Sequence, residues 1–129
     1  MKLLLDTHIW IWALLDPDRL GRRVRRSLGD RRNECWLSPV NVWELLVAVR
    51  RRRVDIPDVD ALVQNVAADG FHEAPVTIEI VQLAERLEVP TADPADRLLA
   101  ATAKTLGLTL VTADRRLLAV RDVATLPNR

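Results

Sequence analysis

The sequence has a single cysteine in 129 residues, Cys35, so an internal disulfide framework is excluded and a thiolate zinc site has no support. Cys35 reads as core filling. No apolar run approaches the length of a membrane span, and the first residues lack the layout of a signal peptide. The expectation is a soluble, cytoplasmic protein with no membrane partner. Internal repeats, low-complexity tracts and linkers are absent too, so residues 1–129 are expected to form one domain, long enough to bury a substantial core. The net charge is only +1, yet arginine is unevenly spread. Arg19, Arg22, Arg23, Arg25, Arg26, Arg31 and Arg32 form one block and Arg50 to Arg53 a second. Such runs read either as solvated helix faces or as contacts for a phosphate backbone.

Short leucine-rich or β-branched runs alternate with longer stretches of helical period, the pattern of an α/β domain with a largely parallel sheet. Strands are expected at Lys2–Leu5, Glu34–Leu37, Phe71–Ala74 and Leu108–Val111, with a further edge strand at Val123–Leu126. Thr7–Leu15 predicts a mostly buried helix ended by Asp16-Pro17, and Leu20, Val24 and Leu28 recur at helical spacing before Gly29. Ser38-Pro39 starts a helix running to about Arg52, as an N-cap followed by Pro at the first helical position. Pro57-Asp58 opens another, ended by Gly70. Thr77 caps a helix carrying Ile80, Val81, Leu83, Ala84 and Leu87, and Asp93-Pro94 begins the last long one, which Gly107 terminates. Arg115–Leu118 reads as a short helical turn. The tryptophans Trp10, Trp12, Trp36 and Trp43 read as core or helix-packing residues, or, where exposed, as platforms for bases or a partner helix.

Four acids stand out against this frame: Asp6 after the first strand, Glu44 within Val42-Trp43-Glu44-Leu45-Leu46, Asp96 near the start of the last long helix, and Asp114 after Leu110-Val111-Thr112-Ala113. Three have structural explanations. Asp6 suits an N-cap, Asp114 a turn, and Asp93 with Asp96 a capped helix start that favours the dipole. Glu44 has none, because its neighbours one turn away are Val40, Asn41, Val47 and Ala48, which offer no cationic partner. A buried carboxylate needs a cation, a donor cluster or a proton. Two carboxylates about 5 Å apart repel by roughly 3 kcal/mol at an effective dielectric of about 20, so a cluster of four destabilises a metal-free fold. Oxygen-only ligands suit Mg²⁺, or Mn²⁺, far better than Zn²⁺. In a parallel sheet, Asp6 and Asp114 would fall at the carboxyl ends of strands, where ligands gather.

The segments Leu3-Leu4-Leu5-Asp6-Thr7-His8, Ser38-Pro39-Val40-Asn41-Val42-Trp43-Glu44-Leu45, Asp93-Pro94-Ala95-Asp96-Arg97-Leu98-Leu99-Ala100-Ala101-Thr102-Ala103 and Leu110-Val111-Thr112-Ala113-Asp114 together resemble a PIN-domain protein of the VapC toxin type. The resemblance spans nearly the whole chain. It implies a single PIN domain over 1–129, a three-layer α/β sandwich whose parallel sheet of four or five strands is flanked by helices, and metal-dependent endoribonuclease activity. It also puts Asp6, Glu44, Asp96 and Asp114 in the places of the family's catalytic, metal-binding acids, with Mg²⁺ or Mn²⁺ as cofactor. Thr7 and Thr112 match hydroxyl positions able to bond a carboxylate, a water or a phosphate oxygen, and Asp93 is kept as an N-cap with an outer role. Members with this Asp-Pro-x-Asp-Arg segment often carry a His where this chain has Thr91, so any role of that His is absent here. His8 is expected in the core or beside the pocket.

Hydrolysis of an RNA phosphodiester by metal-activated water is the expected reaction. The resemblance further implies a VapB-type antitoxin partner and a homodimer. Two alternatives differ in class. A non-catalytic PIN-like binding module would keep the acids only as caps. A receiver-like phosphoacceptor domain would need an acceptor Asp after a mid-chain strand and a Lys after a late one, whereas Asp58 and Asp60 open a helix and Lys104 lies within one.

Overall fold

The computed structural model describes residues 1–129 as an α/β sandwich built on five parallel strands. In chain order these are β1 (Lys2–Leu5), β2 (Glu34–Leu37), β3 (Phe71–Glu73), β4 (Thr109–Thr112) and β5 (Thr125–Pro127). The helices are α1 (Thr7–Leu15), α2 (Arg22–Gly29), α3 (Pro39–Arg50), α4 (Val59–Gln64), α5 (Ile78–Arg86), α6 (Pro94–Leu106) and α7 (Arg115–Leu118), with a 3₁₀ turn at Pro17–Arg19. The strand order is β3-β2-β1-β4-β5, so the chain first builds outward from one side of β1 and then crosses to the other. Leu4 pairs with Trp36 on one side and Leu110 on the other. That reversal of direction between β1 and β4 opens a crevice at their carboxyl ends.

A strand covered on both faces must be apolar throughout, and Leu3, Leu4 and Leu5 are at most 1% exposed. Leu4 joins Leu99, Ala100, Ala103, Leu110 and Leu117 in the core beneath α6 and α7. Leu3 and Leu5 face the opposite layer, with Ile9, Trp10, Val24, Leu45 and Val111. Burying each such leucine stabilises the fold by about 1.5–3 kcal/mol.

The helix starts follow the expected grammar. Pro39 and Pro94 occupy first helical positions behind the side-chain caps Ser38 and Asp93. Gly107 ends α6 at φ 66°, where any residue with a Cβ is strained.

Several boundaries differ from expectation. β4 starts one residue late because the Leu108 N–H closes the end of α6 on the Ala103 carbonyl, 2.9 Å away, and so cannot serve the sheet. β5 likewise starts at Thr125 instead of Val123, whose side chain is buried in the core beneath α6. α3 stops at Arg50, with Arg52 at φ 58° beyond it. α4 is cut short at Gln64, and turns carry the chain to Gly70. Trp10 is buried as expected and Trp12 and Trp36 half so, whereas Trp43 is 67% exposed. Cys35 is half-buried.

Candidate metal centre

Local chemistry explains where each acid stands. The Asp6 N–H extends the sheet by one bond to the Val111 carbonyl, 2.9 Å away, and its side chain then caps α1 by accepting from the Thr7 N–H at 2.7 Å. Asp114 plays the same part beyond β4, capping α7 through the Arg116 N–H at 2.8 Å. Asp93 caps α6, accepting from Ala95 N–H at 2.9 Å and Asp96 N–H at 3.2 Å, which sets Asp96 in the first turn. Three helix N-termini, those of α1, α6 and α7, thus carry acids at one end of the sheet, where their dipoles favour negative charge. Glu44 comes from the middle of α3.

Hydroxyls and one amide fix two of these carboxylates. Thr112 Oγ1 donates to Asp6 Oδ2 at 2.8 Å while accepting from the Asp114 N–H at 3.0 Å, so one side chain ties the acids that follow β1 and β4. Thr7 Oγ1 donates to Glu44 Oε1 in a short hydrogen bond. Behind it stands Asn41, fully buried on α3. Its Nδ2 donates to Thr7 Oγ1 and to the Leu5 carbonyl, each at 3.0 Å, and its Oδ1 accepts from the Ser38 N–H at 2.7 Å. Since Thr7 Oγ1 accepts from the amide, its own proton is committed to Glu44. Of the cation, donor cluster or proton that Glu44 was expected to need, the structure shows a donor, this hydroxyl.

The electrostatics record crowding. Burial raises the pKa of Asp6 and that of Glu44, against the opposing pull of the Thr112 and Thr7 hydroxyls respectively. Asp96 is pushed up from 3.8 to about 7, first by burial and then by the negative charges of Asp93, Asp6, Asp114 and Glu44. Those contributions show that the five acids share one neighbourhood. Asp114 moves the other way, held down chiefly by its hydrogen bond to the Arg116 guanidinium. Even so, no three acidic, histidine or cysteine side chains are arranged to hold a metal ion directly. What fits a hard divalent ion is the all-oxygen donor set and its negative charge, which Arg116 offsets only in part.

The PIN-domain family pattern matches residues 3–123. The chain belongs to the PIN-domain family. This PIN domain is 31% identical over 118 residues to ribonuclease VapC22 of Mycobacterium tuberculosis, an alignment covering 88% of each chain. Its fold is similar to that in the crystal structure of DNA-bound VapBC from Salmonella typhimurium, with a TM-score of 0.75, 15% identity, and coverage of 100% of this chain and 99% of that one. It is similar too to Mycobacterium tuberculosis VapC20, described as a sarcin-ricin loop cleaving toxin, with a TM-score of 0.71, 16% identity, and coverage of 97% and 99%.

Within this PIN domain, Asp6, Asp96, Asp114 and Glu44 gather at one end of the sheet with Thr7, Thr112 and Asp93. His8 is exposed, with its ring 6.0 Å from Trp12, and makes no hydrogen bond to the acids. Three residues of the neighbourhood carried no expectation of a role. Asn41 left a signal, at the third helical position of a capping box begun by Ser38 and one turn before Glu44. Arg97 directs all five of its N–H donors at main-chain carbonyls, those of Ala84, Glu85, Leu87, Val89 and Thr91, at 2.7–3.4 Å. It thereby straps the end of α5 and the loop after it to the first turn of α6, which bears Asp96. Arg116 reaches two of the acids, at 3.0 Å from Asp114 Oδ2 and 3.9 Å from Asp96 Oδ2. A separate apolar hollow of about 260 Å³ between Pro39, Val42, Val63 and Val66 includes none of the four acids.

Proposed function

We propose that this chain is a Mg²⁺-dependent endoribonuclease, with Mn²⁺ as a substitute ion, acting as the toxin of a toxin–antitoxin pair over a single PIN domain of residues 1–129. The observation that carries the reading is Asp96, a carboxyl lifted to about 7 by burial and by the charges of four surrounding acids, an arrangement that a divalent cation relieves. The ribonuclease name of the relative at 31% identity and the RNA-cleaving description of VapC20 support the same chemistry.

Asp6, Asp96 and Asp114 are the ligands that would hold the ion, with Glu44 as a fourth ligand or as an acceptor for water beside it. A divalent ion bound there supplies a water of lowered pKa and neutralises charge on the phosphate. Thr112 keeps Asp6 turned toward Asp114, and the Asn41–Thr7 pair keeps Glu44 facing the nest. Asp93 adds its charge from the rim while capping α6. Holding these groups in place before substrate arrives spares the reaction their reorganisation.

A VapB-type antitoxin and a second copy of the chain are the proposed protein partners, and the cytoplasm the proposed site of action. The solved VapBC complexes of similar fold support the antitoxin. Leu15, Trp43, Ile78 and Val81, all at least 49% exposed, provide apolar surface for such contacts. No helix is long and apolar enough to cross a membrane.

Cleavage of total RNA with mapped ends tests the proposal. Purified protein is expected to cut in Mg²⁺ or Mn²⁺ and to stop in EDTA, with the Asp6→Asn variant at least 100-fold slower, an order-of-magnitude figure for losing one electrostatic catalytic group. Undiminished cutting by Asp6→Asn would sink the assignment.

A further inference from the structure

We propose that Arg116 couples metal binding to RNA binding: its guanidinium guards Asp114 and Asp96 in the metal-free protein and, once released from them, receives a phosphate of the RNA. The inference rests on the ribonuclease reading above and assigns a role to a residue outside the acidic set.

Both oxygens of Asp114 are engaged by one residue. Oδ1 accepts from the Arg116 N–H at 2.8 Å and from Nε at 3.3 Å, while Oδ2 accepts from Nη2 at 3.0 Å. The same Nη2 lies 3.9 Å from Asp96 Oδ2, so a single guanidinium spans two of the four acids. A carboxylate turned toward a guanidinium does not offer the same lone pairs to a cation. In this state no three acids stand arranged for an ion. Arg116 is therefore a competitor for the site, and one that yields readily, because its side chain is 57% exposed and its contacts with the acids are screened by water.

Release does not remove the charge from the neighbourhood. Arg116 sits in the first turn of α7, directly tethered to the Asp114 cap, so its guanidinium stays at the mouth of the acidic nest. There a monocation and a divalent ion repel each other unless an anion lies between them. A phosphodiester is such an anion, and the planar fork of an arginine matches two phosphate oxygens. Without RNA, Arg116 and the divalent ion oppose one another. With RNA, both face the same phosphate and assist one another, which is a coupling free energy in the strict sense. Arg115 provides the internal comparison: it is adjacent, carries the same charge, is exposed and pairs with no acid.

Isothermal titration of Mg²⁺ into the RNA-free protein, with RNA cleavage at saturating Mg²⁺ as the second readout, tests this on wild type, Arg116→Gln and Arg115→Gln. Circular dichroism melting confirms that each is folded. Arg116→Gln is expected to bind Mg²⁺ roughly three- to fivefold tighter, the upper scale of an exposed charge pair, while its KM for RNA rises by a similar factor. Arg115→Gln is expected to change neither by more than about twofold. A wild type that binds Mg²⁺ and cuts RNA beside an Arg116→Gln protein with unchanged or weaker Mg²⁺ affinity overturns the role of Arg116 alone. Equal effects from the two variants overturn it also, since net charge would then explain both. A wild type that neither binds Mg²⁺ nor cuts RNA overturns the ribonuclease reading and this inference together.

Discussion

Replacing Asp96 by Asn should make the metal-free protein more stable, although it removes a residue assigned to the site. The side chain is only 15% exposed, and its carboxyl titrates near 7 instead of 3.8. At 1.36 kcal/mol per pH unit, that lift corresponds to about 4 kcal/mol of strain in the ionised folded state. Solvent at the mouth of the nest screens the repulsion, leaving about 2 kcal/mol. Asparagine keeps the shape and discards the charge, but it forfeits an acid in the first turn of α6, worth about 0.3–1 kcal/mol. The net gain is about 1 kcal/mol, or roughly 4 °C in melting temperature for a domain of this size.

The sign with pH follows from proton counting. Between 3.8 and about 7 the folded wild type binds more protons at this carboxyl than the unfolded chain does. The stability owed to its neutral form is therefore complete below 3.8 and lost as pH rises through 7. Thermal melts in EDTA should show the variant ahead at pH 8 and the gap narrowing toward pH 5, where the wild-type carboxyl is itself neutral. Adding Mg²⁺ should reverse the order, because only the wild type retains the complete set of proposed ligands and so would gain from binding. A variant that melts below wild type in EDTA at pH 8, or a gap that does not narrow on acidification, would refute the picture of a carboxylate strained by burial and by its acidic neighbours.

Two further substitutions probe the supports of the site. Asn41→Ala removes the partner of the Ser38 N–H, the Leu5 carbonyl and the Thr7 hydroxyl within a fully buried network. Urea unfolding should show a loss of about 2–4 kcal/mol, since orphaned buried groups cost about 1–3 kcal/mol each, and a loss under 1 kcal/mol would mean that the network is not held as described. Arg97→Met keeps much of the stem but frees five carbonyls around the loop between α5 and α6. Amide hydrogen exchange should then quicken across residues 84–96 while β1 and β4 remain protected, whereas uniform quickening would show that Arg97 supports the whole fold instead of this loop.

Much of the frame was legible because helix ends speak locally. Ser38-Pro39, Thr77, Asp93-Pro94 and Gly107 each mark a boundary through chemistry confined to a few residues, and the structure places a cap at every one. The alternation of strands and helices gave the parallel sheet for the same reason. Long-range bonds were not legible. Glu44 could be recognised as needing a partner, but Thr7 is 37 residues away in sequence and the Asn41 bond to Leu5 spans 36. Arg97 lies within the Asp93-Pro94-Ala95-Asp96-Arg97 segment, yet its five carbonyls belong to main chain, which no side-chain pattern announces. The shifted start of β4 has a similar cause, in that one N–H could serve either the helix end or the sheet. Trp43 shows the limit of composition: an aromatic on a helix buries area by default, and this one remains 67% exposed.

The acids that crowd one end of the sheet are supplied by residues 6, 44, 96 and 114, and the strands that seat the first and the last of them lie side by side. A nascent chain therefore carries no complete nest until β4 has left the ribosome, because β4 must emerge before Asp114 can be set beside Asp6. For a protein proposed to cut RNA, the order of its acids works as a delay. Copies that stop short of Asp114 lack one of the proposed ligands, while the earlier helices have already emerged.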